Sequence, residues 1–265
     1  MIKKIKNVKG ILSDIDGTLY FKGKPTEAAI DAVNELRKKG IKLLFFTNTD
    51  SKTPDTIFKN LQGLGFTIFK EEIFTPIIAL KEFLSKYPDT KLFLLTTEEV
   101  KNEFKEFNQV KGSEKPDFVI IGDFRDNWDV NRLNQAFKYV FKGADLLGTQ
   151  GNNYFLDQKG EPVIDTGSFV QMIAKTANVN SRIFGKPSKE YFDQAIRRIN
   201  LINEELIVIG DDIDSDIKGA INANLKAVLV ETGKGQFYKP ENADIKPFLI
   251  LKNFASILEY IQLFQ

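Results

Sequence analysis

The sequence predicts an α/β protein in which a parallel sheet is covered by helices and interrupted by a second α/β module. Strand-like and helix-like runs alternate along almost the whole chain, as strand–helix–strand units require. The strand-like runs are almost continuously apolar, as expected where both faces of a sheet are covered. Three strand ends carry acids or Thr-Asn, at the edge where parallel sheets gather ligands.

GILSDI opens the pattern as a short strand. TEAAIDAVNELRKKG follows with apolar positions at helical spacing, and Gly40 is its stop. IKLLFFTN is the second strand, and KTPDTIFKNLQGLG a helix ending near Gly65. Further on, SKEYFDQAIRRINL reads as a helix, EELIVIGDD as an acid-tipped strand, DIKGAINANL as a helix and KAVLVETG as a strand. NFASILEYIQLF is expected to close the chain as an amphipathic helix. In the middle, KLFLLTT and DFVIIGD are strand-like, while NRLNQAFKYVFKG and TGSFVQMIAKTA are helix-like. This stretch carries no acid-tipped strand to match those on either side. It is assigned to residues 77–182 as an inserted module, leaving 1–76 and 183–265 as the main domain; 265 residues suffice for both.

Composition narrows the chemistry. Lys and Arg number 37 against 36 Asp and Glu, a balance that points neither to nucleic acid nor to an acidic tail. The chain has no cysteine, which excludes disulfides, thiolate metal sites and a thiol nucleophile. It has no histidine either, so acid–base work near neutral pH falls to Asp, Glu, Lys or Tyr. The basic start MIKKIKNVKG lacks the apolar segment of a signal peptide. No window approaches the roughly 20 apolar residues that cross a bilayer. A cytoplasmic protein without membrane partners is expected.

The polar strand ends supply a coherent set of groups. ILSDIDGTLY places Asp14 and Asp16 two residues apart, FFTNTD places Thr47 and Asn48, and VIGDDIDSD places Asp211, Asp212 and Asp216. Lys186 lies between the last two, before a proline suited to opening a helix. Asp14, Asp16 and Asp211 together offer hard oxygen ligands of the kind Mg²⁺ takes, and a cation explains how neighbouring carboxylates stay ionised. Thr47 and Asn48 offer neutral donors to phosphate oxygens, Lys186 a point charge, and Gly17 a tight turn. Taken singly, each is an ordinary turn or cap residue. Taken together and in this order, they suit phosphoryl transfer through a carboxylate nucleophile.

DIDGTL, FFTN, GKPSKEYF and GDDIDSDIKGA, followed by NANLKAVLVETGKG, resemble the four ordered motifs of the haloacid dehalogenase superfamily. The insert after the second motif, with FFTN and GKP, is similar to the NagD-like branch. That branch includes nitrophenylphosphatase-like and phospholysine/phosphohistidine-phosphatase-like enzymes. The resemblance implies a Rossmann-like core with a large α/β cap. It implies that Asp14 is the nucleophile, forming an aspartyl-phosphate, and that Asp16 is first the acid for the leaving group and then the base for water. It further implies that Mg²⁺ is held by Asp14, Asp211 and the Asp16 carbonyl, with Asp212 and Asp216 behind them. Thr47, the Asn48 backbone and Lys186 would bind the phosphoryl group. The expected reaction is Mg²⁺-dependent hydrolysis of a small phosphorylated metabolite, with a homodimer formed through the cap. Two other readings stay open: a phosphomutase or phosphotransferase using the same intermediate, and a non-catalytic protein that binds a phospho-ligand or a partner.

Overall fold

In the computed structural model, which describes residues 5–110, 114–157, 161–242 and 244–261, the run GILS becomes one of the two central strands of a six-stranded parallel sheet. The strand order is Leu249–Leu251, Lys226–Val230, Leu206–Gly210, Gly10–Ser13, Lys42–Phe46 and Ile73–Phe74. Gly10–Ser13 and Leu206–Gly210 are buried at every position, which is why both read as unbroken apolar runs. Helix Ala29–Lys38 buries Ala29, Ala32, Val33 and Leu36, the i, i+3, i+4, i+7 stripe visible in the sequence. These side chains join Ile11, Phe45, Ile209 and Val228 in one core.

This sheet belongs to the first of two compact units, made of Met1–Thr47, Ile57–Phe74 and Lys189–Gln265. The second comprises Asn48–Thr56 and Thr75–Ser188. By compactness, then, the segments 48–56, 75–76 and 183–188 group with the middle of the chain. The second unit has its own five-stranded parallel sheet, in the order Ser181–Ile183, Asp145–Gly148, Phe118–Ile121, Lys91–Leu95 and Asn108–Gln109. An antiparallel pair, Tyr154–Leu156 with Pro162–Ile164, accompanies it. Helices Val130–Phe141 and Thr166–Ala177 bury Ala136, Val140, Val170 and Ile173 against Val119, Ile121 and Leu146. The parallel-sheet α/β architecture expected from the sequence is the one observed.

Three local expectations need correction. DIKGAINANL is not a single α-helix: a π-helical turn, Ile213–Ile217, capped by Asp212 and closed by the Ile217 N–H on the Asp212 carbonyl at 3.2 Å, precedes the α-helix Lys218–Asn222. The closing segment forms a 3₁₀ helix over Phe254–Glu259, capped by Asn253; Gln262, Leu263 and Phe264 lie outside the described residues. Pro187 does not open the next helix, which begins at Lys189 after a turn closed by the Ser188 N–H on the Gly185 carbonyl at 3.0 Å. No helix among the described residues is long and apolar enough to cross a membrane.

One buried side chain fixes the edge of the first sheet. Tyr191, on helix Lys189–Ile199, is fully buried and stacks on Phe74 with ring centroids 5.0 Å apart. Its hydroxyl donates to the carbonyls of Thr47 at 2.9 Å and Phe74 at 3.0 Å. The ring fills the core while the hydroxyl, with one hydrogen to give, sits between two strand-end carbonyls, of which that of Phe74 also accepts the Thr47 N–H. Tyr191→Phe keeps the packing and deletes the donor. It should lower stability by about 1–3 kcal/mol in urea unfolding, with the m-value unchanged.

Candidate active site

Strand register assembles the acids. Ser13 pairs with Ile209 on one side and with Phe45 on the other. The next residue, Asp14, donates its N–H to the Ile209 carbonyl at 2.8 Å, and Asp211 follows Gly210 on the neighbouring strand. Both carboxylates therefore leave the same C-terminal edge, where parallel strands present ligand-binding groups. Asp216 reaches the same place from the π-helical turn. Asp14, Asp211 and Asp216 are 5 %, 5 % and 1 % exposed, and each offers an oxygen within 4.8 Å of the others.

The surroundings are built around Asp211. Burial, and then the charges of Asp14 and Asp216, push its carboxyl well above the usual carboxylate range, against the pull of the Lys234 N–H. That N–H donates to Asp211 Oδ2 at 2.7 Å. Gly17, at φ +87°, passes so close that a Cβ there would lie 2.3 Å from Asp211 Oδ2, so only glycine fits both the turn and the space. Thr232 ties the loop down by donating its hydroxyl to the Gly17 carbonyl at 2.6 Å. Asp212 has a different environment. Burial raises its carboxyl, but the Lys234 ammonium prevails and holds it below the ordinary value. Asp216 Oδ2 accepts the Asp212 N–H at 3.0 Å, so it stands both in the acid group and beneath the chain that carries Asp212.

Three buried, mutually facing carboxylates fit a divalent cation. They are hard oxygen donors, few in number, on rigid strand ends, and their repulsion is relieved by the charge such an ion brings. Asp16 lies apart from this trio. Its side chain is exposed, and the Tyr20 hydroxyl donates to its Oδ1. Burial, then Asp16, raises the Tyr20 phenol, so Tyr20 acts as a donor. Thr47 is buried at the end of strand Lys42–Phe46, its N–H on the Phe74 carbonyl at 3.2 Å.

The second unit carries the remaining two residues singled out by the sequence, and it brings them together. Asn48 Oδ1 accepts the Lys186 N–H at 2.7 Å, and Asn48 Nδ2 donates to the Lys186 carbonyl at 2.9 Å. Lys186 is 2 % exposed.

A haloacid dehalogenase-like hydrolase family profile matches residues 11–109, and a second, hydrolase-like profile of the same kind matches 183–257. The phospholysine phosphohistidine inorganic pyrophosphate phosphatase of Xenopus laevis is 31% identical over 241 residues, covering 89% of this chain and 86% of that protein. The chain belongs to the haloacid dehalogenase-like hydrolases. A 4-nitrophenylphosphatase from Thermotoga maritima shares its structure with a TM-score of 0.86 and 26% identity, over 97% of this chain and 98% of that one. NagD from Escherichia coli shares the fold at a TM-score of 0.83 and 23% identity, over 94% and 98% of the two chains. The resemblance read from the motifs is thereby borne out for family and fold.

The chain also holds polar and charged groups near these sites that the motifs do not include. Tyr20 and Lys234 are two. The middle of the chain does, contrary to expectation, carry an acid-tipped strand: Phe118–Ile121 leads through Gly122 to buried Asp123, which pairs with Arg125. Beside them Asp50 is 4 % exposed and accepts from Thr149 Oγ1 at 2.5 Å and Thr166 Oγ1 at 2.8 Å. Asp165 caps helix Thr166–Ala177. Burial, then the Asp165 charge, pushes the Asp50 carboxyl from 3.8 to about 7, while the Thr149 hydroxyl pulls it down.

That shift has a readable consequence. A carboxyl whose folded value is raised favours the fold fully below its unfolded value and loses that contribution as pH rises through the folded one. Wild-type stability should therefore fall between about pH 4 and pH 7 from this source. Asp50→Asn, which keeps the shape and cannot ionise, should flatten that part of a thermal-midpoint profile; an unchanged slope would assign it elsewhere.

Proposed function

We propose that the protein is a Mg²⁺-dependent phosphatase that hydrolyses a small phosphorylated metabolite through an aspartyl-phosphate on Asp14. The observation that carries the proposal is the buried group of Asp14, Asp211 and Asp216 at the C-terminal edge of the sheet, in a chain of this hydrolase family. The phosphatase activities named for the Xenopus laevis and Thermotoga maritima relatives support the reaction class.

Asp14, Asp211 and the Asp16 carbonyl would hold the cation. When bound, it supplies positive charge that offsets the carboxylates and the phosphoryl oxygens. The remaining work belongs to side chains. A carboxylate is ionised near neutral pH and needs no base to attack, so the missing histidine costs this chemistry nothing. Asp14 Oδ forms a bond to phosphorus as the bond to the leaving oxygen breaks, and Asp16 gives that oxygen its proton. In the second half Asp16 takes a proton from water, the water oxygen bonds to phosphorus, and the Asp14–phosphorus bond breaks to release orthophosphate. The Tyr20 hydroxyl fixes the Asp16 carboxyl during both transfers. Motif order assigns Thr47, the Asn48 backbone and Lys186 to the phosphoryl group. Action in the cytoplasm, and pairing of two copies through residues 77–182, complete the proposal.

Phosphate release from 4-nitrophenyl phosphate and a panel of phosphorylated metabolites should require Mg²⁺ and stop with EDTA. Metal-independent release, or none across the panel, would overturn the proposal. Asp14→Asn should lower turnover by about 10³-fold or more while leaving the thermal midpoint near that of the wild type. Retained turnover would remove Asp14 from the nucleophile's place.

A further inference from the structure

Asn48 reads in the sequence as a donor to phosphate, yet its carboxamide is committed elsewhere. Oδ1 takes the Lys186 N–H and Nδ2 gives to the Lys186 carbonyl, at 2.7 and 2.9 Å, with Asn152 Oδ1 a further acceptor at 3.4 Å. One side chain thus bonds both backbone groups of a single residue, as a neighbouring strand would. That contact restrains the main chain on both sides of the Lys186 Cα and so fixes where its side chain starts. Gly185 completes the fit: a Cβ there would lie 2.8 Å from Asn48 Oδ1 and 2.6 Å from the Thr149 carbonyl.

Asp50 secures the same segment two residues later. Its Oδ2 accepts the hydroxyls of Thr149 and Thr166, at 2.5 and 2.8 Å. Thr149 follows strand Asp145–Gly148, whose Gly148 carbonyl accepts the Phe184 N–H at 2.9 Å as the chain runs on to Lys186. The 48–50 segment is therefore fastened at one point to the lysine and at another to the strand beside it. Both anchors are buried or half-buried, where hydrogen bonds are strong and their loss is costly.

We infer that Asn48 is a positioning residue for Lys186, with Asp50 holding Asn48 in that task. The inference rests on the proposed role of Lys186 in binding the phosphoryl group. It assigns the Asn48 side chain to the lysine and leaves only its backbone N–H for the substrate.

A double-mutant cycle tests this on the full chain with Mg²⁺, reading kcat/KM for 4-nitrophenyl phosphate and inhibition by orthophosphate. Lys186→Ala should weaken both. Asn48→Ala should reproduce part of each loss, about 10- to 100-fold in kcat/KM, as a misplaced group does. The double variant should be no worse than Lys186→Ala alone. Asp50→Ala, which removes the oxygen that both hydroxyls share, should show a smaller loss with the same dependence on Lys186, and it serves if Asn48→Ala does not fold. General loosening of the fold would add its own loss in the lysine-free background; a positioning role would not. Losses that multiply would overturn the inference and make Asn48 an independent contact. A silent Lys186→Ala would instead remove the proposed role of the lysine and the inference with it, and the two failures are distinct.

Discussion

The mutual repulsion of three buried carboxylates is the constraint around which the first unit is arranged. Asp14, Asp211 and Asp216 present oxygens within 4.8 Å of one another, nearly without exposure to water. Left alone, such groups protonate or move apart, and the carboxyl of Asp211 is raised by its burial first and then by the charges of Asp14 and Asp216. The fold opposes it with rigid parts. Two central strands in fixed register bring Asp14 and Asp211 to one edge, a glycine turn passes within reach of Asp211, and a π-helical turn returns Asp216 to the same place. The stability of an unbroken apolar sheet offsets what the site costs, and the proposed cation would return part of it on binding.

The second unit meets a similar problem with its own side chains. Asp123 is neutralised by Arg125, and Asp50 is spread over two threonine hydroxyls. Asp165 has a helix N-terminus to cap. Acids satisfied in this way restrain the chain, and a guanidinium or hydroxyl partner leaves them little reason to hold a metal. The first unit keeps one such local pair, Asp212 with Lys234, directly beside the trio. That pair shows the same loop serving both purposes: the Lys234 ammonium neutralises Asp212 while its N–H steadies Asp211.

What could be read from the sequence follows the same physics. Strands buried on both faces announce themselves as apolar runs, and helix Ala29–Lys38 keeps a clean polar face, so both were legible. Helix Pro76–Leu84 was not, because six of its nine residues are buried and no polar face marks its period. The 3₁₀ turn at Phe254–Glu259 has helical composition, and only Asn253 and the buried Phe254 and Ile257 decide its shape. The motif acids were legible because chemistry requires their types and order. Asp50 was not, although it stands three residues after Thr47, because its partners Thr149 and Thr166 are about a hundred residues away in the chain. Asp123 differs: its strand is acid-tipped in plain view, and only its burial and its pairing with Arg125 give it a role. Tertiary partners, more than local pattern, set the role of an isolated polar residue.

The pair Asp14 and Asp16 shows how two identical side chains two residues apart come to differ. Along a strand they would point to one face and share one environment. The strand ends at Ser13, however, and the positive φ of Gly17 turns the chain at once. Asp14 stays with the sheet edge, buried among Asp211 and Asp216. Asp16 swings to the exposed side and is caught by Tyr20 from the returning strand Tyr20–Phe21. The roles proposed for them ask for this difference: a nucleophile benefits from a rigid setting, whereas a group that gives and then takes a proton needs access to the leaving oxygen and to water. Separating these demands takes one turn and one phenol. The distance in sequence is small because the difference in environment is made by the end of the strand.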